Sequence, residues 1–313
     1  MIEKDITIDS NGNRLSGTVC LPEGKGRFPL VIMIHGSGRL DRNENAEGYS
    51  LNVFNTIAHY LARIGIASLR YDKRGCGKST GDFYATGHSD LVDDAVNWFV
   101  TLTQHDFCKP DEIFVLGHSE GCIIAPQVSA KHPAVAGLIL LCPFVDNMES
   151  MAIKQAMHTQ RELEGMPGVK GRIRRSLYRM TAGMPITSQQ MLIDKLKSSN
   201  AATMRIWFQK IPAKWLRELF RLDPPTIFSQ VTCPMLLIGG EKDLQCDPAD
   251  ISRIADLAKG PVDMHVVQNL THLLRFDEEP PSFTYKKTLI AKPMESIVLE
   301  LIAAWFNEQR SRQ

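Results

Sequence analysis

The sequence lacks three features that would each assign it to a large class of proteins. It has almost no net charge, since 36 basic and 35 acidic side chains give +1 at pH 7, and it therefore offers no general attraction for the phosphates of nucleic acids. It contains no run of about 18 apolar residues, so we expect no membrane-spanning segment. The N-terminal segment MIEKDITIDSNGNRL has no apolar stretch behind its charges and does not look like a secretion signal.

The cysteines also form no recognisable framework, because seven is an odd number and no two form a C-x-x-C pair. This pattern argues against structural disulfides and a zinc knuckle, and it favours a reducing compartment. We therefore expect a cytoplasmic protein. The residues that are present, 43% hydrophobic and 23% charged, are ordinary for a globular protein with a large core and exclude intrinsic disorder.

Alternating strand and helix patterns occur at both ends of the chain. An Asn11-Gly12 turn between two short strands predicts a hairpin. Apolar runs such as 29–34 suit strands buried on both faces, and segments with helical spacing lie between them. This order predicts a parallel sheet covered by helices on both sides, an α/β fold. We expect strands at 5–9, 14–21, 29–34, 66–71, 112–116, 137–142, 235–238 and 264–267, and helices at 50–64, 89–103 and 293–307.

A segment of different composition, residues 147–230, interrupts this pattern. It holds eight of the thirteen methionines, and its fourteen Lys and Arg against six Asp and Glu give a charge of about +8. The rest of the chain therefore carries about −7. We predict a main domain formed by residues 1–146 and 231–313, and an inserted helical cap formed by residues 147–230.

The most informative motif is Gly117-His-Ser-Glu-Gly121, which follows the strand expected at 112–116. A serine hydroxyl is a weak nucleophile and must be held clear of the sheet, where a base can reach it. A tight turn between a strand and a helix does this, and glycines on both sides of the serine relieve crowding in the turn. The motif predicts Ser119 as a nucleophile, with an ordinary glycine-rich turn as the alternative.

A serine nucleophile needs a general base and a carboxylate that orients the base. His272 follows the last predicted strand and Asp243 follows the strand before it, so both are expected at the edge of the sheet where Ser119 lies. His265 competes with His272, and Asp247 competes with Asp243. The chain order Ser119, Asp243, His272 favours the first pair.

With His35-Gly-Ser-Gly38 and Tyr71-Asp-Lys-Arg-Gly-Cys-Gly-Lys-Ser79, these residues make the chain resemble the α/β-hydrolase superfamily. Within it, the chain is similar to serine carboxylesterases of the dienelactone-hydrolase and lysophospholipase type. The resemblance implies an α/β-hydrolase fold: an eight-stranded, mostly parallel sheet flanked by helices, with a helical cap inserted after strand 6. It also suggests that Asp72 and Arg74 fix the loop after the fourth strand by local ion pairing.

A serine hydrolase also needs backbone N–H groups that stabilise the developing alkoxide, the oxyanion hole. We expect one donor from Glu120, directly after the nucleophile, and the other from Ser37 in the His35–Gly38 turn. The polar stretch Asp41–Asn45 is interpreted either as pocket lining or as solvated surface. His118 is interpreted as part of the strand-to-helix turn that carries Ser119, the elbow, and not as a metal ligand, because the H-E-x-x-H pattern is absent.

The composition of the cap bears on the substrate. Its methionines and aromatic residues form either an adaptable pocket for acyl or aryl groups or ordinary core packing. Trp207 and Phe208 are the candidate substrate-binding residues. A basic stretch forms either an attractive surface for an anionic substrate such as a CoA thioester or a solvated helix face, and it consists of Arg172, Arg174, Arg175 and Arg179.

Taken together, these patterns predict a serine carboxylesterase that hydrolyses short to medium acyl or aryl esters through an acyl-enzyme. Its partner is expected to be a small-molecule ester, with no metal or organic cofactor, and its oligomeric state a monomer or a homodimer. An acyl-CoA thioesterase, an aminopeptidase-like hydrolase or a cofactor-free perhydrolase would use the same triad. A non-catalytic ligand-binding protein of the same fold is the alternative from another class.

Overall fold

The computed structural model describes residues 1–181, 183–206, 208–283 and 285–311, with the backbone alone for 179–181. The chain divides into two compact units. The larger comprises Met1–Phe83, Ser89–Val145 and Pro224–Gln313, and the smaller comprises Tyr84–His88 and Asp146–Asp223.

The smaller unit differs at both ends from the insertion expected at 147–230. It ends at Asp223 because the next segment, a short helix at Pro224–Phe228, packs with helices of the larger unit and buries Phe228 completely. Tyr84 belongs to the smaller unit, where Lys210 Nζ lies 4.7 Å from the centre of its ring.

The strands of the two units form separate sheets. In chain order they are β1 (Ile2–Ser10), β2 (Asn13–Leu21), β3 (Phe28–Ile34), β4 (Ala67–Tyr71), β5 (Cys108–His118), β6 (Gly137–Leu141), β7 (Met204–Ile206), β8 (Gln209–Ile211), β9 (Met235–Gly240) and β10 (Val262–Val267). Eight of them form one sheet in the order β1-β2-β4-β3-β5-β6-β9-β10. In this sheet β2 is antiparallel to β1 and β4, and the other pairs are parallel.

Helices connect the parallel strands, as crossover connections require. In chain order they are α1 (Val53–Arg63), α2 (His88–Thr103), α3 (Gly121–Lys131), α4 (Met148–Gly165), α5 (Gly168–Thr181), α6 (Pro185–Lys197), α7 (Ala213–Arg221), α8 (Pro224–Phe228), α9 (Asp250–Leu257), α10 (Lys287–Ile290) and α11 (Ser296–Ser311).

The core of the larger unit lies between the sheet and its helices. On one face, Phe54 and Ile57 of α1 and Ile302 of α11 join a single buried cluster with strand residues such as Val31 and Leu116. These helices have apolar residues at helical spacing, and burying that stripe stabilises them. The central strands are apolar on both faces, which suits burial under two layers of helices.

The predicted fold is confirmed. The eight expected strands are present, the Asn11-Gly12 turn has the positive φ angles of a tight hairpin (51° and 76°), and the long segment of the smaller unit, Asp146–Asp223, follows β6. The short hairpin β7–β8 was not expected, because two strands of three residues each carry too few side chains to show a period.

The smaller unit has its own apolar core, formed by α6 and α7. Ile193, Leu196, Ala213 and Phe220 are buried there, and Met148 and Met204 pack against them, so core packing accounts for part of the methionine content. A cavity of about 850 Å³ also lies within this unit, and Met191 and Leu192 are among the residues that line it.

The predicted binding residues of the smaller unit have different surroundings. Phe208 is 98% exposed and lies at the turn between β7 and β8, and Trp207 lies outside the described residues. In the basic stretch, Arg175 donates to the carbonyl oxygens of Leu163 and Met166, both at 3.0 Å, whereas Arg172 and Arg174 are exposed; the side chain of Arg179 is not among those described. Within the described ranges, no helix is both long and apolar enough to cross a membrane.

We expect the substitution Phe114→Ala to lower the free energy of unfolding by about 3 to 5 kcal/mol, because it deletes a buried aromatic ring from the core. Phe114 is 4% exposed and makes edge contacts with Trp305 and Phe306, at centroid distances of 5.8 and 4.9 Å. Urea unfolding followed by circular dichroism would measure the change. The matched control is Phe208→Ala, which deletes an exposed ring and should cost less than about 0.5 kcal/mol; equal effects of the two substitutions would contradict this account of the core.

Candidate active site

The predicted nucleophile lies at a sharp turn where β5 ends at His118 and α3 begins at Gly121. Ser119 has a φ of +53°, in the left-handed region that L residues rarely adopt. The glycines make this turn possible. A Cβ at Gly117 would lie 2.2 Å from the carbonyl oxygen of Gly121, and one at Gly121 would lie 2.0 Å from that of Ile34. A side chain at either position would therefore push the strand and the helix apart.

Hydrogen bonds join Ser119 to the predicted base and acid. Ser119 Oγ lies 3.1 Å from His272 Nε2, and His272 Nδ1 donates to Asp243 Oδ2 at 2.7 Å. Asp243 follows the end of β9 and His272 follows the end of β10, so the parallel strands bring both to the edge of the sheet where β5 ends. The structure thus brings together residues that lie as far as 153 positions apart in the sequence.

The surroundings of Asp243 keep its carboxyl group ionised. Burial raises the pKa of this group, but the charge and hydrogen bond of His272 and the N–H groups of Cys246 and Gln245 outweigh burial and hold the pKa below its usual value. The two amides donate to Oδ1 at 3.0 and 2.8 Å. Because the ionised carboxylate accepts the proton on Nδ1, Nε2 is the nitrogen of His272 that can accept a further proton.

The two competing candidates have other positions. Asp247 is exposed, and its carboxylate accepts the N–H of Ala249 within its own turn at 3.0 Å. His265 is exposed within the edge strand β10. The structure therefore brings Asp243 and His272 to the elbow, whereas Asp247 and His265 lie elsewhere.

The His35–Gly38 turn, predicted to form the oxyanion hole and called the oxyanion turn below, runs past Ser119. A Cβ placed on Gly36 would lie 3.3 Å from Ser119 Cβ. Ser37 is exposed, and Gly38 has a φ of +103°, which glycine adopts without strain. Glu120 is the N-cap of α3 and has helical backbone angles, so its N–H lies at the positive end of the helix. Ser37 and Glu120 thus lie on the two segments that meet at Ser119.

The stretch 41–45 is not solvated surface throughout. Glu44 is 1% exposed, and its Oε1 accepts hydrogen bonds from the N–H of Gly36 at 2.9 Å and from His118 Nδ1 at 2.8 Å. The sequence suggested neither contact: His118 is 74 residues from Glu44, and the separation of eight residues from Gly36 fits no regular element. The one available signal was a charged residue in the polar stretch that follows the His35–Gly38 turn.

The loop after β4 holds two further buried ion pairs. Arg42 Nη2 donates to Asp72 Oδ2 at 2.6 Å, and Arg74 Nε donates to Asp94 Oδ2 at 2.7 Å. Local ion pairing of Asp72 and Arg74 was therefore the wrong expectation. Each charge is buried, and its partner comes from a different segment that packs against the loop.

Another buried ion pair lies against the elbow. Lys73 Nζ donates to Glu120 Oε2 at 2.8 Å and to the carbonyl oxygen of Gly36 at 3.0 Å. Burial, and then the charge of Lys73, lower the pKa of His35 to about 4, so His35 is neutral at pH 7. The side chain of Glu120 is thus paired with Lys73 and buried, at 3% exposure.

All seven cysteines are free, and six of them are buried. Burial raises the pKa of the thiols near the site well above the usual value, so these thiols stay protonated. The thiols concerned belong to Cys122, Cys142 and Cys246.

Two groups of potential metal ligands include His272. One adds His118 and Cys142, and the other adds Asp243 and Cys246. Both ring nitrogens of His272 already face hydrogen-bond partners, Asp243 and Ser119. A metal ion held by either group would therefore replace the hydrogen-bonded chain that ends at Ser119.

Comparison with known proteins relates the chain to hydrolases. Residues 46–279 match the model of the family Hydrolase_4, described as serine aminopeptidase, S33. The chain is 28% identical over 248 residues to esterase EstD of Thermotoga maritima, which covers 79% of this chain and 53% of EstD. It is 25% identical over 245 residues to monoglyceride lipase of Mus musculus, which covers 77% of this chain and 73% of the lipase. The match to EstD thus spans about half the length of that protein.

Solved structures share the fold at low sequence identity. Est1E from Butyrivibrio proteoclasticus with bound ferulic acid has a TM-score of 0.65 and 19% identity, and the match covers 98% of this chain and 99% of that chain. The α/β hydrolase domain-containing protein 10 from mouse has a TM-score of 0.58 and 15% identity over 99% of both chains. The likeness in fold agrees with the family match, which covers well over half of the 313 residues. The chain therefore belongs to the Hydrolase_4 (serine aminopeptidase, S33) family of the α/β-hydrolase superfamily.

Proposed function

We propose that the chain is a serine carboxylesterase that hydrolyses short to medium acyl or aryl esters through an acyl-enzyme. The observation that carries this proposal is the hydrogen-bonded chain from Ser119 through His272 to Asp243, with distances of 3.1 and 2.7 Å. A hydroxyl, an imidazole and an ionised carboxylate in this order are the groups that activate a serine for attack on a carbonyl carbon.

In the proposed first half-reaction, His272 Nε2 takes the proton of Ser119 Oγ while the oxygen attacks the ester carbonyl. Asp243 holds the ring in the orientation with Nδ1–H and stabilises the imidazolium that forms. The tetrahedral intermediate then expels the alcohol, which leaves with the proton from His272. The acyl group remains on Ser119 Oγ, and no metal or organic cofactor is needed.

The negative oxygen of the tetrahedral intermediate is proposed to lie between the main-chain N–H groups of Ser37 and Glu120. Such a donor contributes roughly 3 to 4 kcal/mol in proteases where it has been removed. The position of Glu120 at the start of α3 supports its role, because the helix dipole favours negative charge there. In the second half-reaction, water replaces the alcohol, and the same groups release the acid.

The relatives support an ester as the bond that is cleaved. EstD is named an esterase and the mouse relative a monoglyceride lipase, and Est1E is solved with ferulic acid, an aromatic acid. Free cysteines throughout the chain support a cytoplasmic location. We further propose that the smaller unit is the inserted cap of this esterase.

An aminopeptidase-like hydrolase is the second candidate, because the matching family is described as serine aminopeptidase, S33. The same triad would cleave an amide.

We expect p-nitrophenyl butyrate to be hydrolysed with a kcat/KM at least about 100-fold above that for leucine p-nitroanilide or butyryl-CoA, since the ester has the better leaving group. A difference of about 2.7 kcal/mol in the activation barrier is enough to give this ratio. A preference for the anilide would favour the aminopeptidase, and a preference for the CoA compound a thioesterase.

The substitution Ser119→Ala should lower kcat for p-nitrophenyl butyrate by about 10⁴-fold or more, because it removes the atom that forms the acyl-enzyme. The measurement is steady-state hydrolysis, together with labelling by a fluorophosphonate, which should be lost. Ser129→Ala is the matched control, since Ser129 lies on the same helix, and its hydroxyl donates to the carbonyl oxygen of Pro126 at 2.8 Å. Turnover retained in the Ser119 variant would refute the proposed function, and a wild-type protein that resists the probe would indicate a non-catalytic ligand-binding protein.

The substitution Asp243→Asn should lower kcat by about 10⁴-fold with little change in KM, because an amide no longer holds His272 in the required tautomer. Asp247→Asn changes the same group four positions on and should retain activity, since its carboxylate serves only a local turn. Steady-state kinetics on the two variants would test this pair. Equal losses would show that the assignment of the acid is wrong.

A further inference from the structure

A second histidine and carboxylate pair lies beside the proposed triad and has no part in the mechanism above. His118 Nδ1 lies 2.8 Å from Glu44 Oε1, and His118 Nε2 lies 3.0 Å from the carbonyl oxygen of His272. Both side chains are almost completely buried, at 6% and 1% exposure. Burying two ionisable groups is costly, and an apolar pair of similar volume is often as stable or more stable. The presence of a histidine and a carboxylate at this position therefore requires an explanation other than stability.

The partners of His118 determine its charge. A backbone carbonyl can only accept a hydrogen bond, so Nε2 must carry a proton. Although burial raises the pKa of Glu44, the charge and hydrogen bond of His118 and the N–H of Gly36 hold it below its usual value, so Glu44 is an acceptor too and Nδ1 must also carry a proton. His118 is therefore an imidazolium that donates from both nitrogens.

The charges around His118 agree with this state. Burial lowers the pKa of His118, but the charge and hydrogen bond of Glu44, the carbonyl of His272 and the charge of Asp243 together raise it above the usual value. The ring of His272 lies 5.2 Å away, centre to centre. Its Nδ1 faces Asp243 and its Nε2 faces Ser119.

The pair connects the two parts of the site that lie on separate loops. Glu44 Oε1 also accepts the N–H of Gly36 at 2.9 Å, and Gly36 precedes the proposed oxyanion donor Ser37. From Gly36 through Glu44 and His118 to the backbone of His272, three hydrogen bonds link the oxyanion turn to the loop that carries the base. His118 itself precedes Ser119, so the link includes the residue next to the proposed nucleophile.

We propose that Glu44 and His118 are positioning residues that hold the oxyanion turn and the His272 loop in register with Ser119, so that all three meet the transition state in one fixed geometry. This proposal rests on the proposed function. The loops need such support because they contain non-glycine residues in the left-handed region, with φ of +64° at Glu44 and +57° at Asn269 and Leu274. A shift of about 1 Å between reacting groups can cost 100-fold in rate.

Two single substitutions and their combination test the link. Glu44→Gln keeps the shape and an acceptor for Gly36 but removes the charge, so His118 becomes neutral and can donate from one nitrogen only. His118→Asn keeps a donor toward Glu44 but removes the ring that reaches the carbonyl of His272. Each should lower kcat for p-nitrophenyl butyrate by about 10- to 100-fold with KM changed less than about threefold, because the effect falls on the transition state.

The double variant distinguishes a shared role from two separate ones. If the two residues act as one link, the double variant should be no more than about threefold slower than the slower single variant, whereas independent effects would multiply to as much as about 10⁴-fold. The matched control is Asp94→Asn, which changes a buried carboxylate paired with Arg74 and Ser10 in the same unit. It should lower the thermal midpoint but leave kcat per folded molecule unchanged.

The outcomes separate this proposal from the proposed function. Activities are expressed per active site, counted by stoichiometric fluorophosphonate labelling of Ser119, so that loss of folded protein is not read as loss of rate. Wild-type kcat in Glu44→Gln or His118→Asn, or multiplying effects in the double variant, would overturn the link. Turnover retained in Ser119→Ala would instead overturn the proposed function, whatever the Glu44 variants do.

Discussion

Direct backbone contact between β5, α3 and β3 determines where every group of the candidate site lies. The contact exists because Gly117 and Gly121 have no Cβ: either atom would come within 2.2 Å of a carbonyl group. With α3 this close to β3, the turn that follows β3 reaches Ser119. The neighbouring parallel strands then end at the same edge and bring in the loops of Asp243 and His272. The absence of a Cβ at Gly117 and Gly121 thus allows the left-handed backbone conformation of Ser119, the proposed nucleophile.

Four buried ion pairs hold segments of the larger unit together. Each pair joins segments that are distant in the sequence, so breaking one would leave an uncompensated charge in the interior and release a loop as well. Such pairs add little net stability compared with apolar packing, and we interpret them as constraints on the position of loops. The pairs are Arg42 with Asp72, Lys73 with Glu120, Arg74 with Asp94, and Glu44 with His118.

The sequence predicts well what depends on periodicity and local motifs. The strands and major helices of the sheet unit are visible in their apolar spacing, and Ser119, Asp243 and His272 are visible because each follows a predicted strand. Buried polar contacts leave no such pattern. Glu44 and His118 are 74 residues apart, and nothing in the letters Asp-Arg-Asn-Glu-Asn distinguishes a charge that will be buried from one that will be solvated. The predicted end of the insertion at residue 230 is also imprecise, because α8 belongs to the larger unit through its packing, which its composition does not reveal.

The cysteines around the site have a chemical consequence. Peroxide and other oxidants attack the thiolate form of cysteine, and attack is slow where the thiol stays protonated and out of contact with solvent. Cys122, Cys142 and Cys246 are in that state, because burial raises the pKa of each. The fold therefore keeps three oxidisable sulfur atoms next to its proposed catalytic groups in a form that tolerates oxidative stress. Electrophilic reagents added to the folded protein would therefore react with the hydroxyl of Ser119 before they react with these thiols.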